Sequence, residues 1–172
     1  MTLSSTDYLT VSSVRVYFDV SASVLLQVAY SEAGTWLSGE GSTLQTLAAP
    51  AWNTLSDKMN TAYAILNGSV SADENAILSA RDALKQALEQ AKADLFEASR
   101  IDIADAVITM QLNFSAVASV VLNGTRLNPE TDYTVSYMQG ETVLDAAPTV
   151  PGSYPAVITG MGDYAGTIRK HL

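Results

Sequence analysis

The spacing of apolar residues changes near Ser99 in this chain of 172 residues. In residues 20–98, apolar side chains recur every three or four residues, which places them on one face of an α-helix. After it, they alternate with polar side chains, as in a β-strand with one buried face. We therefore predict an α+β chain of two modules: a three-helix bundle at residues 20–98 and a β-sandwich at residues 99–172.

The first two predicted helices are bounded by glycine and proline. Residues 21–36 have helical spacing, and glycines follow soon after. Pro50 is placed for the first turn of a second helix, where its missing N–H costs nothing. Trp52 then begins an apolar series that ends before Asn67-Gly68, a typical left-handed C-terminal stop. At this spacing Trp52 is predicted to be a core anchor rather than part of a ligand groove.

The third predicted helix is the longest. Ser71-Ala-Asp-Glu74 has the pattern of a capping box, in which the serine and glutamate side chains bind free backbone N–H groups. The apolar face continues for about 27 residues, which is roughly 40 Å at 1.5 Å per residue. This helix is therefore expected to span the whole bundle.

Three stretches of the helical half resemble the FIVAR module, a small three-helix bundle of bacterial surface and carbohydrate-active proteins. They are Ala49-Pro-Ala-Trp-Asn-Thr-Leu55, Ala62-Tyr-Ala-Ile-Leu-Asn67 and Ser71-Ala-Asp-Glu-Asn-Ala-Ile-Leu-Ser-Ala-Arg-Asp-Ala-Leu-Lys-Gln-Ala-Leu88. Ala51-Trp52 stands where the family has Ser-Trp, and Ser71-x-x-Glu74 stands where it has Thr-x-x-Glu. The resemblance implies a spacer or accessory module.

The second half has short strand patterns separated by turn signals such as Asn123-Gly124 and Gln139-Gly140. Regular spacing of this kind is typical of a sandwich. Tyr154 is predicted to form a tyrosine corner through its hydroxyl, and the glycines of residues 160–166 are predicted to serve a hairpin with positive φ. A phosphate-binding loop is excluded there because no βαβ unit follows. The predicted strands are 107–112, 117–122, 133–138, 142–144, 154–159 and 165–169.

Two motifs in this half resemble the bacterial immunoglobulin-like repeats of cell-surface proteins. They are Leu127-Asn-Pro-Glu-Thr-Asp-Tyr-Thr-Val-Ser-Tyr137 and Gly152-Ser-Tyr-Pro-Ala-Val-Ile-Thr-Gly-Met-Gly-Asp-Tyr-Ala-Gly-Thr167. The resemblance implies an immunoglobulin-like β-sandwich and an extracellular or cell wall-attached setting. It brings no binding residue with it.

Residues 1–19 are rich in β-branched and aromatic side chains but alternate imperfectly. We interpret them as an extended lead-in that pairs with a sheet edge or packs along the helical module. They lack the basic and apolar regions of a signal peptide. With the resemblances, this predicts a fragment of a surface protein without its signal and anchor.

The charge of the chain argues against several partners. There are 9 basic and 18 acidic residues, giving a net charge of −9 without a basic stripe. Binding to nucleic acid is therefore electrostatically opposed. No apolar stretch is long enough to insert into a membrane. A monomer is expected.

The side chains needed for catalysis are scarce. The chain has no cysteine, and its one histidine is His171 near the C-terminus. Thiol and serine-triad chemistry are therefore excluded. Asp102 with Asp105, and Asp73 with Glu74, are carboxylate pairs that we assign structural roles rather than calcium binding or glycoside hydrolysis. We expect no enzyme, no cofactor and no catalytic or metal-binding residue.

Two functions agree with these features. The first is a non-catalytic spacer that presents an adhesive or carbohydrate-active domain of a surface protein. The alternative is an accessory module that itself binds glycan or a host surface protein through exposed aromatics, for which Tyr30 and Trp36 are the candidates. A spacer should bury its aromatics, whereas a glycan binder must expose two or more on a common surface.

Overall fold

The chain is α+β, with helices first and strands after them. A computed structural model describes residues 20–111, 116–150 and 152–171, so the predicted lead-in at residues 1–19 lies outside the described residues. The α-helices are α1 (Ala22–Ser38), α2 (Leu44–Leu47), α3 (Ala49–Leu66) and α4 (Glu74–Ser99), with a 3₁₀ turn at Glu40–Thr43 before α2. Residues 20–99 are called the helical part below, and residues 101–171 the β part.

Most helix ends lie where the sequence predicts them. Pro50 occupies the first turn of α3, and Gly68 takes a φ of +75° just after it, as a left-handed stop requires. The predicted capping box is wrong. Asp73, not Ser71, is the N-cap of α4, and its carboxylate accepts a hydrogen bond of 2.8 Å from the Ala76 N–H. Both residue types cap helices well, so the sequence pattern alone does not separate them.

The three long helices share one apolar core. Leu26, Leu44, Leu55, Leu84 and Leu88 are fully or almost fully buried in it. Alanines fill the remaining contact positions, which lets the helix backbones approach closely. Trp52 packs against this core, as predicted. The buried alanines are Ala29, Ala33, Ala51, Ala62, Ala87 and Ala91.

The direction of the helices follows from the residues that meet. Pro50 and Ala51, at the start of α3, line a groove together with Gln90 and Asp94, near the end of α4. The two helices are therefore antiparallel. Residues 39–48 reverse the direction of the chain between α1 and α3, so α1 runs in the same direction as α4.

The described residues of the β part form nine strands in three sheets. The strands are β1 (Ile101–Asp102), β2 (Val107–Met110), β3 (Val117–Leu122), β4 (Thr125–Arg126), β5 (Tyr133–Gln139), β6 (Thr142–Leu144), β7 (Pro155–Gly160), β8 (Tyr164–Ala165) and β9 (Thr167–His171). One sheet has the order β2-β3-β4 and another the order β6-β5-β7-β9, while β1 pairs in parallel with β8. The six predicted strands are present with small shifts. The three that the sequence pattern missed, β1, β4 and β8, are two residues long, too short to show a period.

A second apolar core joins the larger sheets. Val120 and Leu122 come from β3, Tyr133 from β5, and Ala156 and Ile158 from β7, and all are buried in one cluster. Burial raises the pKa of the Tyr133 phenol above its usual value, although the charge of Arg126 acts in the opposite direction. The β part therefore has a core of its own, separate from that of the helices.

A tyrosine other than the predicted one anchors the backbone. The Tyr137 hydroxyl accepts a hydrogen bond of 3.1 Å from the Val117 N–H and so joins β5 to β3 across the core. Tyr154 is buried with its ring against Gly152, where an added Cβ would lie 2.5 Å from the ring. Tyr154 is therefore a packing residue, and the hydrogen bond of the predicted corner stays a prediction.

The glycines between β7 and β9 have two different functions. Gly162 and Gly166 have φ values of +57° and +88°, as predicted for this hairpin. Gly160 does not. A Cβ there would lie 2.8 Å from the carbonyl carbon of Tyr164, so Gly160 allows close contact between two backbone segments. No helix in the described part of the chain is long and apolar enough to cross a membrane.

The Tyr137 hydrogen bond is testable by removing one oxygen atom. Tyr137→Phe leaves the Val117 N–H without its partner and should lower the free energy of unfolding by about 1–2 kcal/mol. Tyr154→Phe is the matched control and should cost less than about 0.5 kcal/mol. Urea unfolding followed by the NMR amide signals of the β part measures both. A larger loss for Tyr154→Phe than for Tyr137→Phe would instead support the predicted corner at Tyr154.

Candidate functional site

An open groove lies beside Trp36, at the C-terminal end of α1. It has a volume of about 540 Å³. Its walls come from α1, from the start of the 3₁₀ turn and from α4. The lining residues are Glu32, Thr35, Trp36, Gly39, Glu40 and Lys92. Carboxylates, a hydroxyl and an ammonium group beside an indole are the kinds of group that bind a polar ligand with apolar faces.

The Trp36 indole lies against the backbone of Gly41. A Cβ added to Gly41 would lie 2.7 Å from both Cε3 and Cζ3 of the ring, closer than atoms approach without displacement. Gly41 is itself buried, and Trp36 is a partly buried neighbour of the helical core. The six-membered ring is thus used for packing, which reduces the aromatic surface available to a ligand.

Lys92 is held by carboxylates along one wall of this groove. Its Nζ donates a hydrogen bond of 2.7 Å to Glu89 on the same helix and lies 3.9 Å from a carboxylate oxygen of Glu32 on α1. The hydrogen bond to Glu89 raises the pKa of Lys92, and burial opposes it as the next largest effect. The charges of Glu89, Glu32 and Glu40 raise the pKa further by smaller amounts. Lys92 therefore remains a cation at neutral pH, with its charge already balanced by carboxylates.

Tyr30 lies in a different setting. Its ring stacks on that of Tyr63 from α3, with 6.2 Å between centroids and 29° between planes. Tyr30 is half-buried, whereas Tyr63 is 55% exposed. A pair of this geometry stabilises the contact between two helices. It also leaves the outer surface of Tyr63 in solvent.

The structure does not bring the two predicted ligand residues together. Tyr30 and Trp36 are six positions apart on α1, which is about 120° around the helix axis. Tyr30 faces α3, and Trp36 faces Gly41 and the groove beside α4. A role in ligand binding stays a prediction for each of them. No sequence pattern predicts that Tyr63 lies beside Tyr30, or that Lys92 and Gly41 lie beside Trp36, because these contacts join separate helices or turns.

The acidic side chains that we considered for metal binding make local contacts. Asp73 caps α4, and Asp102 accepts a hydrogen bond of 2.9 Å from the Ala104 N–H. Within residues 20–111, 116–150 and 152–171, no three His, Cys, Asp or Glu side chains are grouped so as to hold a metal ion.

Comparisons with known proteins give no relative from which to transfer a function. No protein-family model matches the chain, and neither a curated protein nor a solved structure matches it.

The packing of Trp36 on Gly41 is testable with two glycine-to-alanine changes. Gly41→Ala should destabilise the chain by about 1–3 kcal/mol, because the new methyl group must displace the indole. Gly34→Ala is the matched control. Nothing lies within 4 Å of a Cβ at Gly34, and in the middle of α1 alanine should stabilise by up to about 1 kcal/mol. Urea unfolding gives both values.

Fluorescence of a Trp52→Phe background reports on Trp36 alone, since the chain has two tryptophans. Gly41→Ala should shift its emission to longer wavelength as the indole moves into water, and Gly34→Ala should leave the emission unchanged. An unchanged emission spectrum for Gly41→Ala would show that the ring does not pack there.

Proposed function

We propose that this chain is a non-catalytic spacer from a bacterial cell-surface or secreted protein, in which a FIVAR-like three-helix bundle is followed by an immunoglobulin-like β-sandwich. Its role is to hold an adhesive or carbohydrate-active domain away from its attachment point. The proposal rests on the sequence resemblances and on the path of the chain through the fold.

The main support for the proposal is the path that the chain takes through the helical part. Glu32, in the second half of α1, lies beside Lys92, in the last third of α4. Since the two helices run in the same direction, α1 begins far from the end of α4 that joins the β part. α4 has 26 residues, which corresponds to about 39 Å. The chain therefore crosses the helical part from its remote end to the junction.

The last strand of the β part, β9, runs away from the junction with α4. Gly166, just before β9, lies close to Asp102 at the junction. His171, at the other end of β9, pairs with Pro155, about 13 Å further along the strand at 3.3 Å per residue. The described chain thus enters at one end and leaves towards the other. This path is the one required of a module placed in series between an anchor and a functional domain.

A second candidate function is binding of glycan or a host surface protein. The observation that favours it is the groove at Trp36, whose carboxylates and ammonium group match the hydroxyl groups of a saccharide. Against it, Trp36 is the one aromatic residue that lines the groove within the described part of the chain. The spacer remains the better supported function because the aromatic rings are used for contacts between helices.

Display on a bacterial surface tests the spacer function. The chain is placed between a cell-wall anchor and an epitope-tagged reporter domain, and access of an antibody to the tag is measured. The control replaces the chain with a compact domain of similar mass whose ends lie side by side. We expect several-fold more antibody with this chain than with the control, because residues 20 and 171 lie at opposite ends of the described structure. Equal access in the two fusions would contradict the spacer function.

A glycan-array screen tests the second candidate. If the chain is a spacer, the wild-type protein should bind no glycan above background. Reproducible binding that Trp36→Ala removes and Tyr63→Ala retains would instead establish a ligand site in the Trp36 groove. Loss of binding in Tyr63→Ala alone would place the site at the Tyr30–Tyr63 pair. Both variants require circular dichroism as a check on folding.

A further inference from the structure

The helical part and the β part are joined without a loop. α4 ends at Ser99 and β1 begins at Ile101, so Arg100 alone lies between them. The Arg100 backbone is extended, with φ −66° and ψ 143°. A connection this short has few rotatable bonds, but it does not fix an angle by itself.

Backbone hydrogen bonds hold the first residues of the β part. The Ile101 N–H donates to the Asp163 carbonyl at 2.8 Å, and the Ile103 N–H donates to the Ala165 carbonyl at 2.9 Å. These bonds attach residues 101–103 to the β7–β9 connection. They do not involve α4, and so they leave the direction of the helix unspecified.

The Arg100 side chain contacts both sides of the junction. Nη1 donates to Glu97 in the last turn of α4 at 2.9 Å, and the guanidinium lies 6.0 Å from the ring centroid of Phe96. Nη2 donates to the carbonyl oxygens of Gly160 and Tyr164 in the β part. A planar guanidinium with donors in a fixed arrangement can make these contacts at the same time, which a lysine cannot.

The two carbonyl groups converge because residue 160 is glycine. A Cβ at Gly160 would lie 2.8–2.9 Å from the backbone of Tyr164 and Ala165. The absence of a side chain thus lets the end of β7 approach β8 and directs both carbonyl oxygens at one guanidinium. The Arg100 side chain is 18% exposed, so these hydrogen bonds are largely protected from water.

We propose that Arg100 fixes the angle between α4 and the β part, so that the two parts move as one body. It acts as a positioning residue, through Glu97 on one side and the Gly160 and Tyr164 carbonyl groups on the other. Its value to the protein rests on the proposed spacer function, since a fixed angle keeps residues 20 and 171 apart. The angle itself is a physical property that is measured without reference to that function.

A substitution at Arg100 is able to change the angle between α4 and the β part without unfolding either part. Replacing a buried ion pair with apolar residues of similar size is often neutral for stability, whereas removing one partner is costly when the other charge stays buried. The Glu97 side chain is 63% exposed, so Arg100→Met leaves its carboxylate in water. In the described part of the chain the Arg100 Nε has no hydrogen-bond partner, and Arg100→Met removes the cost of burying it. Arg100→Met should therefore keep the fold while it removes the contacts that define the angle.

Distance measurements between spin labels test this inference. The chain has no cysteine, so Ser71→Cys and Glu141→Cys place one label before α4 and one in the β5–β6 turn, both at exposed positions. Double electron–electron resonance should give one narrow distribution of the distance between the two labels when Arg100 is unchanged. Its width should increase about twofold in Arg100→Met, because backbone bonds alone leave a hinge. Arg81→Met, on the same helix and remote from the junction, should leave the width unchanged.

A second variant makes the test independent of any folding defect in Arg100→Met. Arg100→Lys keeps the positive charge but not the branched set of donors, and it should also broaden the distribution. A distribution as narrow as wild type in a folded Arg100→Met or Arg100→Lys protein would overturn the proposal. Failure of the surface-display experiment with a broadened Arg100→Met distribution would reject the spacer function and leave the role of Arg100 intact.

Discussion

The structure depends on the direct passage from a helix into a strand. α4 carries the core of the helical part on one face, and one residue later β1 pairs with β8 in the β part. Every other helix packs against α4 or its neighbours. In the β part, β7 and β9 belong to the four-stranded sheet, which shares an apolar core with the β2-β3-β4 sheet. The contacts at Arg100 therefore set the orientation of the helical core relative to the core of the β part.

Patterns that extend over many residues predicted the longer helices and strands of the α+β chain. α3 and α4 have apolar faces several turns long, and β3 and β5 alternate over six or seven residues, so the free-energy preference summed along each element is large. The short elements β1, β4 and β8 were missed because their existence depends on partners distant in sequence. Ser71 and Asp73 show the same limit at a helix end. Both can cap, and the position of the first helical turn decided between them.

The candidate site was predictable only as a list of residue types. The sequence identified Tyr30 and Trp36 as aromatics in the helical part, but their surroundings come from α3, α4 and the 3₁₀ turn. Gly41 illustrates the reason. Its glycine is required by a tertiary contact with Trp36, and no local turn signal reveals such a contact. Arg100 was likewise unremarkable in the sequence, since its partners Gly160 and Tyr164 are separated from it by about sixty residues.

The two proposed functions place opposite demands on the aromatic rings. A ring that binds a saccharide must present a free face, and a ring that stabilises a helix contact must cover that face with protein. Trp36 covers part of its indole with Gly41, and Tyr30 covers its ring with Tyr63. The exposed ring of Tyr63 is paired with a ring from another helix rather than with a second exposed aromatic in a common groove. The aromatic residues thus contribute mainly to rigidity, which is the property that a spacer needs and the property that Arg100 extends across the junction.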